Sequence, residues 1–479
     1  QINYIDWESP IIQSRRCYEV CQERGLPVVI MEPVKGGTLV KLPDPVADIL
    51  RAAEPGAPLA SWALRFAGSL PNVIAVLSGM NTPEMVAENA AIMRDGVPLT
   101  PAEYEVIEAA RDALAALPGV PCTDCRYCVK GCPEGVHINT IMQSLNIYDQ
   151  MGDAYRAQEN YNWNTGDGKA SACIQCGACI HSCPFGAVGS KTFMVDVINM
   201  INAGKKVVAM VAPATEGQFG ADITMASWKT ALKKVGFADM VEVALGGDMT
   251  AAAEAAEWAE AYKEGKKMTT SCCPAFVNMI KQHFPQLLDN MSTTVSPMCA
   301  VSRMLKEKDP ETVTVFIGPC IAKKSETLDL NIKDNADYAM TFGEIRAMMR
   351  AKDVELEPEE NTYQEGSVFG KRFGNAGGVT AAVVECFKEM NEDITPNVMK
   401  CNGAAECKKA LLLMKVGKLP ADFVEGMACV GGCVGGPSKH KTELEAKKAR
   451  DLLIGQADDR EVHANLKNLG VDQVAMHRH

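Results

Sequence analysis

Eight cysteines fall in two tight runs. Cys122, Cys125, Cys128 and Cys132 precede Pro133, and Cys173, Cys176, Cys179 and Cys183 precede Pro184, so both runs spell C-x2-C-x2-C-x3-C-P. Four thiols packed so closely cannot pair among themselves without strain, but they can wrap a metal cluster. In such a run three thiolates reach three irons of one cubane, and the fourth usually crosses to the other cluster. Structural zinc takes two separated C-x2-C pairs instead. Two 4Fe-4S clusters are therefore expected, and such a pair conducts electrons without being a reaction centre.

Five more cysteines sit on three loops bounded by glycine or proline. The loops are Thr270-Ser271-Cys272-Cys273-Pro274-Ala275-Phe276, Gly318-Pro319-Cys320-Ile321-Ala322-Lys323-Lys324, and Glu425-Gly426-Met427-Ala428-Cys429-Val430-Gly431-Gly432-Cys433-Val434-Gly435-Gly436-Pro437. As residues alone they suggest another iron–sulfur cluster, with Gly431 and Gly432 letting backbone approach the metal. Upstream, Glu254 and Glu257 are three apart and share one face of a predicted helix. On most helices such a pair is a solvated face.

These three loops resemble the signature motifs of the FeFe hydrogenases, in order and in spacing, over about residues 200–479. The resemblance implies an H-cluster: a 4Fe-4S cubane joined through one cysteine to a two-iron centre bearing carbon monoxide, cyanide and a dithiolate. It implies Cys273, Cys320, Cys429 and Cys433 as cubane ligands, with Cys433 as the bridge. Lys323 would donate a hydrogen bond to a cyanide, Met427 would pack against the two-iron centre, and Pro213, Ala214 and Ser296 would help enclose it. Cys272 would pass protons along a relay of Cys272, Glu254, Ser292 and Glu257, and a relay needs groups in hydrogen-bond succession out to solvent. Ala261 stands where a basic residue often follows, so this relay has no evident exit. Other departures are Phe276 for tryptophan, Gly318 for methionine, Met298 for glutamine, and a third loop running on as Val434-Gly435-Gly436-Pro437-Ser438. They imply a divergent subgroup.

The elements around these residues read as a multidomain α/β protein. Val28-Val29-Ile30-Met31 and Val73-Ile74-Ala75-Val76-Leu77 read as buried parallel strands, with helices near Ser14–Arg24 and Leu59–Leu70 and another starting at Thr82-Pro83-Glu84. This βα repetition over residues 1–117 resembles the last part of an aldo/keto reductase barrel. The resemblance is carried by Met31-Glu32-Pro33, Lys35-Gly36-Gly37, Ser78-Gly79-Met80-Asn81-Thr82-Pro83-Glu84 and Glu88-Asn89. The strands bearing that family's catalytic residues are absent, so a docking half-barrel is expected and not a carbonyl reductase. Cys17 and Cys21 share a helical face and read as packing residues. Leu117-Pro118-Gly119 breaks the pattern. Residues 118–190 form a two-cluster ferredoxin-like domain, and 191–479 a two-lobed α/β hydrogenase domain. Strands return at Val207–Val211, Met240–Val243 and Thr312–Ile317.

The 479 residues are 47% hydrophobic and 23% charged, with a net charge of -12. That composition suits a globular chain and argues against nucleic acid or an anionic membrane as partner. No apolar run is long enough to span a bilayer. Nineteen cysteines, eight of them in two tight runs ill-suited to disulfides, point to a reducing cytoplasm. The chain opens at Gln1 without a Met, so its true start is expected upstream. The implied function is reversible reduction of protons to dihydrogen. Electrons would come from a ferredoxin or similar carrier, and dedicated maturation proteins would supply the two-iron centre. The competing reading is a hydrogen-sensing, low-turnover protein with the same cluster. Cys299, close to the proposed site, is the remaining cysteine with a candidate redox role.

Overall fold

The computed structural model describes residues 2–8, 13–95 and 98–478. They form two compact units that do not follow chain order, Gln1–Arg126 with His137–Asp167, and Tyr127–Val136 with Gly168–His479.

In the first unit β1 (Val28–Ile30) pairs in parallel with β2 (Val73–Val76). Val28, Ile30, Val73 and Val76 pack with Leu50, Trp62, Phe66 and Ile107 from the helices Asp44–Ala53, Leu59–Gly68 and Pro101–Ala115. The strands are parallel as expected, but they are not buried on both faces. Val29, Met31, Ile74 and Leu77 are exposed, Ile74 at 68%. Alternate residues of a strand point to opposite faces, and the helices cover only one face of this pair. Helix Ser14–Glu23 buries Ser14 and Tyr18. It leaves Cys17 exposed and Cys21 half-exposed, so Cys17 is not the packing residue its spacing suggested. Thr82 does open helix Pro83–Asp95, accepting a bond from the Met85 amide at 3.3 Å.

The second unit holds two parallel sheets. One has the order β4 (Asp239–Glu242), β3 (Val207–Val211), β6 (Val313–Ile317), β7 (Tyr338–Met340). The other has the order β5 (Met268–Thr269), β9 (Phe423–Met427), β8 (Val398–Asn402). Every residue of β3 and β9 is buried. A central parallel strand is covered on both faces, so β3 reads as an unbroken apolar run, while β9 carries Glu425 within its buried stretch. Helix Val243–Lys263 starts directly after β4, and its small residues admit close packing. A side chain at Gly246 would collide with the Pro297 carbonyl of helix Pro297–Lys308. Loops leaving the C-terminal ends of β3, β5, β6 and β9 converge between the sheets, the place where open α/β sheets bind ligands.

Candidate metal centre and proton path

Strand β5 leads into Cys272 and Cys273, β6 into Cys320, and β9 into Cys429 and Cys433. All five border one recess of about 870 Å³, together with Pro213, Ala214, Met298, Lys323, Phe373, Gly374 and Met427. Loop geometry fixes the thiols. Gly431 and Gly432 both take positive φ, +82° and +71°, and a side chain on Gly432 would run into the Gly374 backbone. Across this close approach the Cys433 amide donates to the Gly374 carbonyl at 2.7 Å. Arg450 ties the surrounding loops together, donating to the Pro213 carbonyl at 3.3 Å and to Asn375 and the Lys371 carbonyl.

The chemistry of this donor set fits an iron–sulfur cluster. Burial first, then the neighbouring sulfurs, push Cys320 up to about 12 and Cys433 to about 11, and raise Cys429 well above an ordinary thiol. Clustered thiolates in so dry a place need a cationic core to offset them, and metal binding supplies that while releasing the protons. Among the described residues no three His, Cys, Asp or Glu side chains close around a single ion. The thiols instead share one recess.

Lys323 is buried beside them. Its ammonium donates to Ser296 Oγ at 2.8 Å and Glu326 Oε2 at 2.6 Å. A lysine has three protons to give, so one is left for a group in the recess. Burial, the largest single influence, pulls its pKa down, but the charge and hydrogen bond of Glu326 together with the sulfurs of Cys299 and Cys320 outweigh it and hold it above the usual lysine value. Ser296 therefore acts through Lys323, while Pro213, Ala214 and Met427 line the wall. Met298 is also in the wall. Two departures from the family pattern have local causes. A side chain at Gly318 would lie 2.9 Å from the Phe316 ring, which occupies that volume. Phe276, fully buried, packs onto Gly426, where any Cβ would strike its ring. Cys299 is buried, with its sulfur 3.1 Å from Asn335 Oδ1, and burial pushes its thiol up to about 12. A protonated buried thiol is a poor nucleophile.

Cys272 is buried at the edge of the recess, and burial followed by the charge of Glu254 holds its thiol strongly protonated. Glu254, at 0% exposure, is pushed up to about 8, first by burial and then by Glu257. Its carboxyl accepts a long bond from the Ser271 amide at 3.4 Å, its other oxygen lacks a well-formed partner, and the Ser292 hydroxyl lies beside it. Ser292 Oγ then donates to Glu257 Oε2 at 2.6 Å. The four residues are thus brought together in the order Cys272, Glu254, Ser292, Glu257. Helix Val243–Lys263 sets both glutamates, one turn apart, toward Ser292 on the strand-like segment after β5.

In the second unit the other thiols form a second group. Burial leads in raising Cys176 to about 11 and Cys179 to about 12, and the sulfurs of Cys132 and Cys173 add to both shifts. The fourth cysteine of the first run therefore keeps company with the first three of the second. Burial raises Cys183, but backbone amides of Phe185, Ala187, Val188 and Gly186 outweigh it and bring that thiol below its ordinary value. Cys128 is buried in the same unit, whereas Cys122 and Cys125 belong to the first. Cys176 also borders the recess and contributes to the shift of Cys429. Gly177 makes this approach possible. Its φ is +80°, and a Cβ there would sit 2.6 Å from Ile321, next to Cys320.

Several residues of this surround escaped sequence reading. Glu326, three after Lys323, is a helical pairing that its spacing could have signalled. Glu425, buried in β9, accepts from the Gly377 and Thr380 amides at 2.8 and 3.0 Å and so caps helix Gly378–Glu389. Lys371, wholly buried between Glu216 and Glu242, carries no local signal. Arg478, which donates to the Ser271 carbonyl at 3.0 Å, carries none either.

Residues 205–437 match the C-terminal domain of the iron-only hydrogenase large subunit, and residues 121–188 match a 4Fe-4S dicluster domain. Iron hydrogenase 1 of Clostridium pasteurianum is 28% identical over 339 residues, 58% of this chain and 58% of that protein. The chain thus spans little more than half the length of that relative. Nuclear prelamin A recognition factor of Homo sapiens is 23% identical over 338 residues, 57% of this chain and 74% of that protein. A solved FeFe-hydrogenase structure from Chlamydomonas reinhardtii aligns at 19% identity over 59% of this chain and 94% of that one, with a TM-score of 0.48. No helix among the described residues is long and apolar enough to cross a membrane. The chain carries a C-terminal domain of the iron-only hydrogenase large-subunit family, preceded by a 4Fe-4S dicluster domain.

Proposed function

We propose that this protein is an FeFe hydrogenase that interconverts protons, electrons and dihydrogen. Cys273, Cys320, Cys429 and Cys433 would hold the cubane of an H-cluster, with Cys433 also the residue that would meet the two-iron centre. When bound, that group supplies the metal site and the electrons for making or breaking the H–H bond. The chain's own residues hold and orient it, keep its pocket dry, and move protons. Lys323, steadied by Ser296 and Glu326, offers an ammonium proton to a ligand in the recess. Met427, Met298, Pro213 and Ala214 exclude water. The two cysteine runs would hold 4Fe-4S clusters that supply electron transfer from a ferredoxin or similar carrier, and Cys176 places one run beside Cys429. Filling the two-iron site calls for maturation proteins. Residues 1–117 we read as a docking half-barrel of aldo/keto reductase type.

The observation that carries this reading is the file of proton-bearing groups from Cys272 through Glu254 and Ser292 to Glu257, with the 2.6 Å bond between the last two. A purely structural cluster has no use for a protonated acid buried beside a protonated thiol. The test is hydrogen evolution from reduced viologen under strict anaerobiosis, after reconstitution with a synthetic two-iron cofactor, in native chain and Cys272→Ala. Evolution should fall by roughly 10²- to 10⁴-fold in the variant at unchanged iron content. Native protein that evolves no hydrogen while its two-iron centre is spectroscopically present would refute catalysis and favour hydrogen sensing.

A further inference from the structure

The proton path does not end at Glu257. Along its own helix it cannot continue, because the next turn presents Ala261, which is buried and carries no proton. Glu257 Oε1 instead accepts from the Thr293 amide at 2.9 Å and from the Thr293 hydroxyl at 3.1 Å. The same hydroxyl lies 2.8 Å from Nδ1 of His477, an exposed residue. Thr293 has one hydroxyl proton and donates it to Glu257 Oε1, so in the bond to His477 Thr293 accepts and Nδ1–H donates. The hydrogen bonds therefore run in one sense, from the outer imidazole to the inner carboxylate.

The backbone that carries the imidazole is held in place. Residues 476–478 lie antiparallel to residues 293–295, with the Val295 amide on the Met476 carbonyl at 2.7 Å and the Arg478 amide on the Thr293 carbonyl at 2.9 Å. Arg303 donates to the carbonyls of Ala475 and His477 at 2.6 and 2.8 Å. The charged groups named on these elements are thus Glu257 on the inner side, Arg303 on helix Pro297–Lys308, and Arg478 on the strap itself.

We infer that His477, acting through Thr293, is the solvent-side terminus of the proton path and takes the place of the basic residue missing at Ala261. The inference rests on the hydrogenase reading for its use, but not for its test. A proton from water enters at Nε2 and gives the imidazolium. The Nδ1 proton moves to Thr293 Oγ1 as the Thr293 hydroxyl proton moves to Glu257 Oε1. One proton has entered, Thr293 is unchanged, and the imidazole is left neutral with its proton on Nε2. Exchange with water through a turn of the ring restores the starting tautomer. Outward transfer is the reverse.

The experiment uses the full chain with its 4Fe-4S clusters but without the two-iron centre. Its readout is the rate at which the buried carboxylic acid of Glu254 takes up deuterium after transfer to D2O, followed by the infrared carbonyl stretch and assigned with Glu254→Gln. His477→Asn keeps a donor for Thr293 but cannot relay, and Thr293→Val breaks the chain at its middle. Both should slow exchange roughly tenfold or more without changing the unfolding temperature. In the reconstituted enzyme His477→Ala should lose hydrogen evolution and regain it with added imidazole. Native-rate exchange in His477→Asn would overturn the proposal, because the histidine would then be only a strap. Slow exchange in the variants of a native chain that evolves no hydrogen would keep the path and refute the hydrogenase.

Discussion

Replacing Glu254 with glutamine should raise stability more the higher the pH, while abolishing proton delivery. The carboxyl is held protonated from its ordinary 4.5 up to about 8 by burial and by Glu257. A raised folded pKa means that the folded chain binds a proton the unfolded chain releases, so stability falls as pH rises from about 4.5 to about 8. At 1.36 kcal/mol per pKa unit, the native chain loses roughly 5 kcal/mol across that window on this residue alone. Glutamine does not titrate, so the loss should be absent from the variant. Its amide brings a fixed cost of about 1–3 kcal/mol for a buried donor with poor partners, but that offset does not change with pH. The signature is therefore the slope. Anaerobic thermal unfolding at several pH values should show the gap between variant and native widening by on the order of 6 °C toward alkaline pH. Hydrogen evolution should fall by roughly 10²- to 10⁴-fold at every pH. Parallel pH dependences of the two unfolding temperatures would refute the assignment of Glu254 as a buried neutral acid.

Other perturbations follow from the same structure. Lys371→Met strands Glu216 and Glu242 in the interior without their shared cation, so urea unfolding should report a loss of roughly 3–5 kcal/mol. Glu326→Gln removes the charge that keeps the Lys323 ammonium protonated despite burial. The Lys323 contribution present at neutral pH should then be lost at lower pH than in the native chain, as a pH titration of unfolding temperature would reveal. Gly177→Ala forces a side chain into positive φ and against Ile321, and should cost about 1–3 kcal/mol. It should also slow reduction of the inner cubane in stopped-flow spectroscopy, leaving the outer clusters reducible.

What could be read from sequence was local. The cysteine runs were legible because a cubane demands close spacing, and β3 and β6 because buried parallel strands are continuous apolar runs. The proximity of Ser292 to Glu257 was reachable only through family spacing, since no periodicity links a helix to the segment after β5. β1 and β2 have the same apolar text as β3, yet they expose Val29 and Ile74, because burial depends on what packs over a sheet. Cys17 misled for the same reason. The contact of Thr293 with His477 joins segments far apart in the chain, as does that of Lys371 with Glu216, and single residues at such separations leave no pattern.

The sulfur of Cys132 among those of Cys173, Cys176 and Cys179 has a consequence for biosynthesis. A ribosome adds about 5–20 residues per second, so the first run emerges on the order of seconds before its partner exists. During that interval Cys132 has no site to join, and a waiting thiol is open to oxidation. On the proposed ligation, the second cluster can be completed only after both runs have been made, and a cleavage between the runs would not release one working half but would take a ligand from the other.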